Sequence, residues 1–293
     1  MSLFLLLLFF QDPVSGDAVI RNAAGKSEIV IHTTQRLAGA IDSLRWDGKE
    51  FIDSADHGRQ LQSASNLDAG SKITDETFNP TEAGSRADGS GPKSSSLLLR
   101  LKAEGATLET RTRMAFWLKP GENSGGNPAK NVTVLSDHLL AKKVTIGFRD
   151  LPNVIDYSTT FTIPAGETHT SATFEALTGY MPAEFSRFLV YDPATKEAKP
   201  LADGPGEQAL PVILSTPSGS HAMGIYSPDQ RPGYGRFRFE REKVVKWNCV
   251  FRVKRPEGIS PGDVAFRNFV AVGTLEDVVA SLRKLHEIFA EQR

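Results

Sequence analysis

The sequence has little cysteine, no concentrated charge and no long apolar run. Cys249 is the only cysteine among 293 residues, so neither an internal disulfide nor a thiolate metal cage can form. The 34 basic and 35 acidic residues are scattered and leave a net charge of -1, which gives no reason to expect a nucleic-acid partner. The six histidines form no His-x-His or His-Glu-x-x-His pattern, so we expect no metal and no cofactor.

The longest apolar run, residues 3–10, is too short to span a bilayer as a helix. It resembles the apolar core of a secretory signal peptide, although it lacks a basic segment before it, and an ordinary buried strand is the alternative. We expect residues 1–16 to be a signal segment, residues 17–293 to form a single β-sandwich domain, and the protein to be secreted or periplasmic. We expect no membrane span in the mature chain.

Alternating apolar and polar residues, with 25 glycines and 17 prolines between them, predict strands almost throughout. The predicted strands are 27–33, 39–45, 50–52, 96–103, 107–118, 131–140, 142–148, 154–163, 168–177, 187–191, 212–215, 222–226, 234–239, 245–253 and 264–272. Because no helices alternate with them, the fold class is all-β, a large antiparallel β-sandwich. Two smaller sandwiches divided near residues 120–130 are the alternative.

The last twenty residues carry the one helical pattern. Thr274 and Asp277 have the spacing of a capping box. Apolar residues then fall on one face of a helix (Val278, Leu282, Leu285 and Phe289). We expect this helix to pack on the outside of a sheet.

Residues 56–88 are unusually rich in side chains with directional donors and acceptors. They include Asp56-His57-Gly58-Arg59-Gln60-Leu61-Gln62 and Asn79-Pro80-Thr81-Glu82. Glycine and proline fix the backbone that aims these groups. Such a set suits a ligand rich in hydroxyl groups, and a carbohydrate is the expected partner. We expect residues 76–88 to be ordered against the sheet face that carries Gln60 and Gln62.

The hairpin at residues 39–52, with the sequence GAIDSLRWDGKEFI, resembles the opening hairpin of the galactose mutarotase-like proteins. That superfamily also contains the supersandwich domains of polysaccharide lyases and glycoside hydrolases. The resemblance implies a supersandwich fold and a carbohydrate-active function.

Four residues are candidates for acid–base catalysis, because each lies at a strand end or in a loop beside glycine or proline. They are His57, Glu82, Glu175 and His221. We expect them to line one concave pocket together with Arg59 or Gln60. Solvated carboxylates and satisfied structural histidines are the competing interpretation.

The candidates for substrate binding are amides, charged groups and one aromatic ring. They are Arg59, Gln60, Gln62, Asn79, Asp88, Tyr180, Asn248 and Arg252. In the strand Trp247-Asn248-Cys249-Val250-Phe251-Arg252, alternation places Asn248 and Arg252 on the open face and Cys249 in the core.

The sequence thus favours a secreted carbohydrate-active enzyme of hydrolase, lyase or epimerase type that uses histidine and carboxylate chemistry. A carbohydrate-binding sandwich without chemistry is the alternative. Convergence of a histidine and a carboxylate in one pocket would distinguish the enzyme.

Overall fold

The computed structural model describes residues 14–70 and 72–290, which form antiparallel strands and one α-helix. The first strands are β1 (Ala18–Ala24), β2 (Ser27–Thr33), β3 (Ile41–Trp46), β4 (Lys49–Glu50), β5 (Leu61–Leu67), β6 (Pro80–Thr81), β7 (Leu97–Glu104), β8 (Thr107–Phe116), β9 (Asn123–Ser124) and β10 (Asn127–Pro128). The remaining elements are β11 (Leu135–Phe148), β12 (Leu151–Ile163), β13 (His169–Pro182), β14 (Arg187–Asp192), β15 (Glu197–Pro200), β16 (Gly206–Gln208), β17 (Val212–Ser215), β18 (Ala222–Tyr226), β19 (Gly233–Phe239), β20 (Val244–Ile259), β21 (Gly262–Gly273) and helix α1 (Leu275–Ala290). Short 3₁₀ helices lie at Gln35–Leu37 and Arg86–Asp88.

The strands are arranged in two layers. The first layer has the order β1-β2-β3-β5-β13-β20-β19-β16. The second has the order β7-β8-β11-β12-β21-β18-β17-β14-β15. Strand β6 pairs with both β5 and β8 and so connects the layers at one place. The predicted all-β antiparallel sandwich is confirmed.

The main core lies between the layers. Leu177 and Trp247 of the first layer belong to the same buried cluster as Tyr157 and Val270 of the second. Cys249 is fully buried in this cluster, as expected, and burial raises the pKa of its thiol well above the ordinary value. It is therefore a packing residue and not a nucleophile.

Helix α1 covers the outer face of the second layer. Val278 and Leu282 pack with Phe269 of β21 and Ile213 of β17. The predicted capping box is present, since the Asp277 backbone N–H donates to Thr274 Oγ1 at 3.2 Å and the Thr274 N–H donates to Asp277 Oδ2 at 3.0 Å. Both the helix and its place outside a sheet are confirmed.

Most strand predictions are confirmed, and the strands at 27–33, 212–215 and 222–226 have the predicted bounds. The structure differs from the predicted strands in several places. Residues 18–24, 197–200 and 206–208 form strands that were not predicted, residues 135–148 form one strand where two were expected, and residues 61–67 form β5 where no strand was predicted.

The predicted signal segment falls mainly on residues 1–13, which lie outside the described residues. Its cleavage, the secreted or periplasmic location and the single-domain boundary stay predictions. In the described part of the chain, no helix combines the length and the apolar character needed to cross a membrane.

Candidate functional site

A polar pocket of about 400 Å³ lies on the outer face of the first layer. Its floor comes from strands β5, β13 and β20, and its rim comes from the loops before β6 and after β8 and from β16. The lining residues are Gly58, Gln62, Ser63, Ala64, Asn66, Asp75, Glu76, Asn79, Thr81, Trp117, Thr173, Glu175, Thr178, Tyr180, Glu207, Lys246, Asn248, Val250 and Arg252. Such a wall of amides, hydroxyls and charges with two aromatic rings offers many directional hydrogen bonds.

A β-bulge in β13 aims its pocket side chains. Glu175 pairs with Val250, and the register then shifts so that Leu177 pairs with Cys249. Ala176 and Leu177 are both fully buried in the core cluster, which strict alternation would forbid. The extra residue therefore returns Thr178 to the same face as Glu175.

Strand β20 alternates without interruption beside it. Lys246, Asn248 and Arg252 line the pocket, whereas Trp247 and Cys249 between them are fully buried. The predicted division of this strand into a core face and an open face is confirmed. Lys246 lies directly opposite Tyr180 in the register.

An ion pair joins the two central strands at the pocket floor. Lys246 Nζ donates to Glu175 Oε2 at 3.2 Å, and Thr178 Oγ1 donates to the same oxygen at 2.7 Å. Lys246 Nζ also lies 5.1 Å from the centre of the Tyr180 ring, a distance suited to a cation–π contact. The Lys246 ammonium and the Thr178 hydroxyl thus hold the Glu175 carboxylate in one position.

The charges at the floor shift one another's pKa values. Burial alone would raise the pKa of Glu175, but the Lys246 ammonium and the hydrogen bonds from Thr178 and Asn248 outweigh it, so the pKa lies below its ordinary value. Burial alone would lower the pKa of Lys246, but the charge of Glu175 and the contact with Tyr180 outweigh it, so the pKa lies above its ordinary value. Burial raises the pKa of Tyr180. At neutral pH the floor thus presents a carboxylate, an ammonium and a neutral phenol.

A second ion pair closes one side of the pocket. Arg252 donates to both carboxylate oxygens of Glu207, at 2.7 and 2.8 Å. Such a bidentate pair fixes both planar groups. Gly233 lies under it, and a Cβ there would meet Glu207 Oε1 at 2.3 Å. The neighbouring strand therefore needs glycine for Glu207 to take this position.

The segment from residue 76 to residue 88 packs against β5, as predicted. Asn79 Nδ2 donates to the Ser65 carbonyl, and the Ala83 N–H donates to Gln62 Oε1 at 3.3 Å. Trp117 closes the rim beside Gly58, where a Cβ would meet the indole ring at 2.6 Å. The expected contact with Gln62 is confirmed.

Half of the sequence-predicted site residues meet in this pocket. Those that line it are Gln62, Asn79, Glu175, Tyr180, Asn248 and Arg252. Those that do not line it are His57, Arg59, Gln60, Glu82, Asp88 and His221. The expectation that His57, Glu82, Glu175 and His221 converge in one pocket is therefore corrected.

His57 is buried among backbone carbonyls. Its Nδ1 lies 2.7 Å from the Gly89 carbonyl oxygen, and its Nε2 lies 2.9 Å from the Arg36 carbonyl oxygen. With 1% of its surface exposed, the ring tethers two loops and has no face toward the pocket.

Glu82 is equally inaccessible. Its Oε1 forms an ion pair with Lys142 Nζ at 2.5 Å, and neither side chain has any exposed surface. The Ser63 N–H donates to Oε2 at 3.1 Å. Both carboxylate oxygens are thus engaged between the two layers.

His221 lies against aromatic residues away from the pocket. Its ring centre is 5.7 Å from that of Trp46 and 6.1 Å from that of Phe51. Ser220 Oγ lies 2.9 Å from its Nδ1. These contacts give His221 a packing position.

The three remaining predicted residues have structural partners. Arg59 forms an ion pair with Asp56 at 2.9 Å. Gln60 is fully buried, and its amide donates to the Asp56 carbonyl. Asp88 completes a capping box, since its Oδ2 accepts the Ser85 N–H at 2.8 Å.

Several pocket residues were not predicted. The most important are Lys246, Asn66, Thr178, Trp117 and Glu207. The position of Lys246 could have been predicted from the sequence, because it lies an even number of residues before Asn248 and Arg252 and so faces the same side of the strand. Thr178 had none, because the bulge that turns it outward breaks the alternation.

No protein-family model matches the chain, and no curated protein matches it. Among solved structures, an α-galactosidase from Lactobacillus brevis is 8% identical, with a TM-score of 0.47 over 90% of this chain and 40% of that chain. The Slr1438 protein from Synechocystis is also 8% identical, with a TM-score of 0.48 over 90% of this chain and 97% of that one. A candidate aldose 1-epimerase from Klebsiella pneumoniae is 12% identical, with a TM-score of 0.42 over 92% of this chain and 86% of that one.

The chain spans about two fifths of the length of the α-galactosidases that it matches. Because all three TM-scores are below 0.5, these similarities support no statement about the chemistry of this chain.

Proposed function

We propose that the protein is carbohydrate-active and that the polar pocket binds a glycan. The observation that carries the proposal is the composition of the pocket wall, in which amides, hydroxyls, paired charges and two aromatic rings face one cavity. Sugar hydroxyls require donors and acceptors in many directions. The apolar faces of sugar rings pack on aromatic side chains, here Trp117 and Tyr180.

Two amide oxygens of the pocket support this assignment. Asn66 Oδ1 and Asn248 Oδ1 are buried, and neither has a hydrogen-bond partner among the described residues. Because an unsatisfied buried acceptor is costly, such groups call for a partner. Both side chains line the pocket, and rotation of the terminal amide would turn this oxygen toward a hydroxyl donor of a ligand.

We propose Glu175 as the catalytic carboxylate of an enzyme of this class. It is the one sequence-predicted catalytic residue that lines the pocket, and its lowered pKa makes it a base or a nucleophile at neutral pH and not an acid. Lys246 and Thr178 orient it. The histidine part of the expected chemistry has no place in this site, because His57 and His221 lie elsewhere.

A binding module without chemistry is the second candidate, and the ion pair between Glu175 and Lys246 favours it. General acid–base catalysis works best when the pKa of the group lies near the working pH. The pair moves both pKa values away from neutrality. An ion pair that only fixes the pocket floor would have these properties too.

A panel of polysaccharides and oligosaccharides, with product analysis by mass spectrometry, distinguishes the two candidates. If the protein is an enzyme, Glu175→Gln should reduce turnover about 100-fold or more while glycan binding changes much less. Glu28→Gln is the matched control, because Glu28 also forms an ion pair, with Arg21 at 3.3 Å, but on the exposed surface. Full turnover in Glu175→Gln would contradict the catalytic assignment, and measurable binding without turnover on any glycan would favour the binding module.

A further inference from the structure

A cluster of three metal-ligating side chains lies outside the pocket, at one end of the sandwich. His138 Nε2 is 2.7 Å from Glu167 Oε2, and His169 Nε2 is 2.8 Å from the same oxygen. The three ligand atoms all lie within 4.8 Å of one another. We refer to His138, Glu167 and His169 as the histidine–carboxylate cluster.

We propose that the histidine–carboxylate cluster is a binding site for a divalent transition metal, with Zn²⁺ as the ion that fits it best. Two imidazole nitrogens and one carboxylate oxygen are a ligand set that Zn²⁺ takes in proteins, with a fourth position left for water. Imidazole ligands also select against Mg²⁺ and Ca²⁺, which prefer all-oxygen sites.

Metal binding requires the three ligand atoms, which now lie within 4.8 Å of one another, to reach roughly equal separations. Zinc bond lengths of about 2.0–2.2 Å in tetrahedral geometry separate neighbouring ligand atoms by roughly 3.3 Å. The present separations of 2.7 and 2.8 Å are shorter by about half an ångström. Glu167 lies in the turn between β12 and β13 and is partly exposed, so its carboxylate can move outward by that amount.

A hydrogen bond from Nδ1 fixes the orientation of the His169 ring, so that Nε2 faces the other two ligands. His169 Nδ1 forms a hydrogen bond with the Asp68 carbonyl oxygen. Nε2 donates to the Glu167 carboxylate in this structure, and a metal that displaces this proton would bind the Nε2 lone pair while Nδ1 keeps donating to the backbone carbonyl, which is the usual arrangement around a bound metal. That lone pair is directed at the position where the cluster converges.

Asp68 is itself held rigidly, so the support of His169 is preorganised. Its carboxylate accepts the Thr170 N–H at 3.0 Å, the Thr170 hydroxyl at 2.6 Å and the Ser171 N–H at 3.1 Å. These bonds fix the end of β5 to the start of β13. Metal sites need this kind of outer support to keep their ligands in place.

The surroundings of the cluster are apolar on the inner side and open on the outer side. The Phe78 ring centre lies 5.6 Å from that of His169 and 6.2 Å from that of His138. The two histidines are 3% and 2% exposed, whereas the Glu167 side chain is 24% exposed. A metal ion can thus enter from the Glu167 side.

The position of the cluster indicates what the metal would do. His138 belongs to β11 of the second layer, and His169 belongs to β13 of the first. A metal bound to both would join the two layers at this end of the sandwich. It would bind the folded chain and not the unfolded one, and so would stabilise the fold.

The test uses the full chain, freed of metal with a chelator and titrated with Zn²⁺ by calorimetry. We expect one Zn²⁺ per chain, a higher melting temperature with Zn²⁺ and no such rise with Mg²⁺. Co²⁺ in place of Zn²⁺ should give the visible absorption of a four-coordinate site with nitrogen and oxygen ligands.

Substitution of the ligands then assigns the site. Glu167→Gln and His169→Asn should each weaken Zn²⁺ binding by at least tenfold and abolish the Co²⁺ absorption. His32→Asn is the matched control, because His32 is a strand histidine outside the cluster, and it should bind as the wild type does. Glu167→Gln retains hydrogen-bonding groups, so circular dichroism should show it folded.

Two outcomes would overturn the proposal. One is a folded wild-type chain that takes up no stoichiometric Zn²⁺ and shows no Co²⁺ absorption. The other is binding that Glu167→Gln and His169→Asn leave unchanged, which would place the metal elsewhere.

Discussion

The buried ion pair between Glu82 and Lys142 makes a quantitative prediction about stability. Both side chains are fully inaccessible, and Lys142 Nζ also donates to the Gly39 carbonyl at 3.1 Å. In Glu82→Gln the amide oxygen can still accept the Ser63 N–H, but the Lys142 charge is left buried without its counter-charge. Removing one partner of a buried pair reduces the free energy of unfolding by about 3–5 kcal/mol.

Replacing both partners should cancel most of that loss. Buried ion pairs exchanged for uncharged residues of similar volume are often neutral in stability. We therefore expect the double variant Glu82→Gln with Lys142→Met to unfold within about 1–2 kcal/mol of the wild type. Lys142→Met alone should be destabilised, because it leaves the Glu82 carboxylate buried and unpaired.

Urea unfolding followed by tryptophan fluorescence measures all four proteins as a double-mutant cycle. A loss below about 1 kcal/mol in Glu82→Gln would refute the reasoning, because it would mean that the pair is hydrated or uncoupled. So would single-variant losses that simply add in the double variant. For the folded fraction of Glu82→Gln, we expect turnover or glycan binding to be retained, since the pair does not line the pocket.

Three further predictions concern other parts of the fold. Thr274→Ala removes the cap of helix α1 and should lower the free energy of unfolding by about 1 kcal/mol, measured by urea unfolding. Gly179→Ala should lower it by about 1–3 kcal/mol, because the new Cβ would lie 2.5 Å from the Trp247 ring; an unchanged midpoint would contradict this close packing. The pKa of Glu175 is lowered, against the effect of burial, by Lys246 and its hydrogen bonds, from an ordinary value of 4.5. Its contribution to stability should therefore be full above pH 4.5 and be lost as the pH falls through the lowered folded value, so that the difference in unfolding free energy between wild type and Glu175→Gln shrinks in acid.

The strand pattern and the C-terminal helix could be predicted because they depend on local periodicity. The alternation in residues 245–253 correctly placed Asn248 and Arg252 on the open face and Cys249 in the core. The capping box at Thr274 was equally local. At the bulge after Glu175 the strand departs from strict alternation, and the sequence does not indicate which face of the sheet the next side chains occupy.

The site was predicted only in part, because polarity does not reveal burial. His57 and Glu82 have the residue types of a catalytic site, yet backbone carbonyls enclose one and Lys142 neutralises the other. Those partners are far away in the sequence: Lys142 is 60 positions from Glu82. The histidine–carboxylate cluster was missed for the same reason, since His138 is brought to Glu167 only by the pairing of long strands.

The central claim is that the polar pocket binds a hydroxyl-rich ligand, and a calorimetric titration tests it most directly. The best glycan from the polysaccharide panel is titrated into the wild type, Asn66→Ala, Asn248→Ala and the control Asn127→Ala, whose asparagine is exposed and does not line the pocket. Loss of one hydrogen bond to the ligand should weaken binding roughly tenfold in each pocket variant, with wild-type affinity in the control. Unchanged affinity in both Asn66→Ala and Asn248→Ala would contradict the account and place the glycan, if it binds at all, outside this pocket.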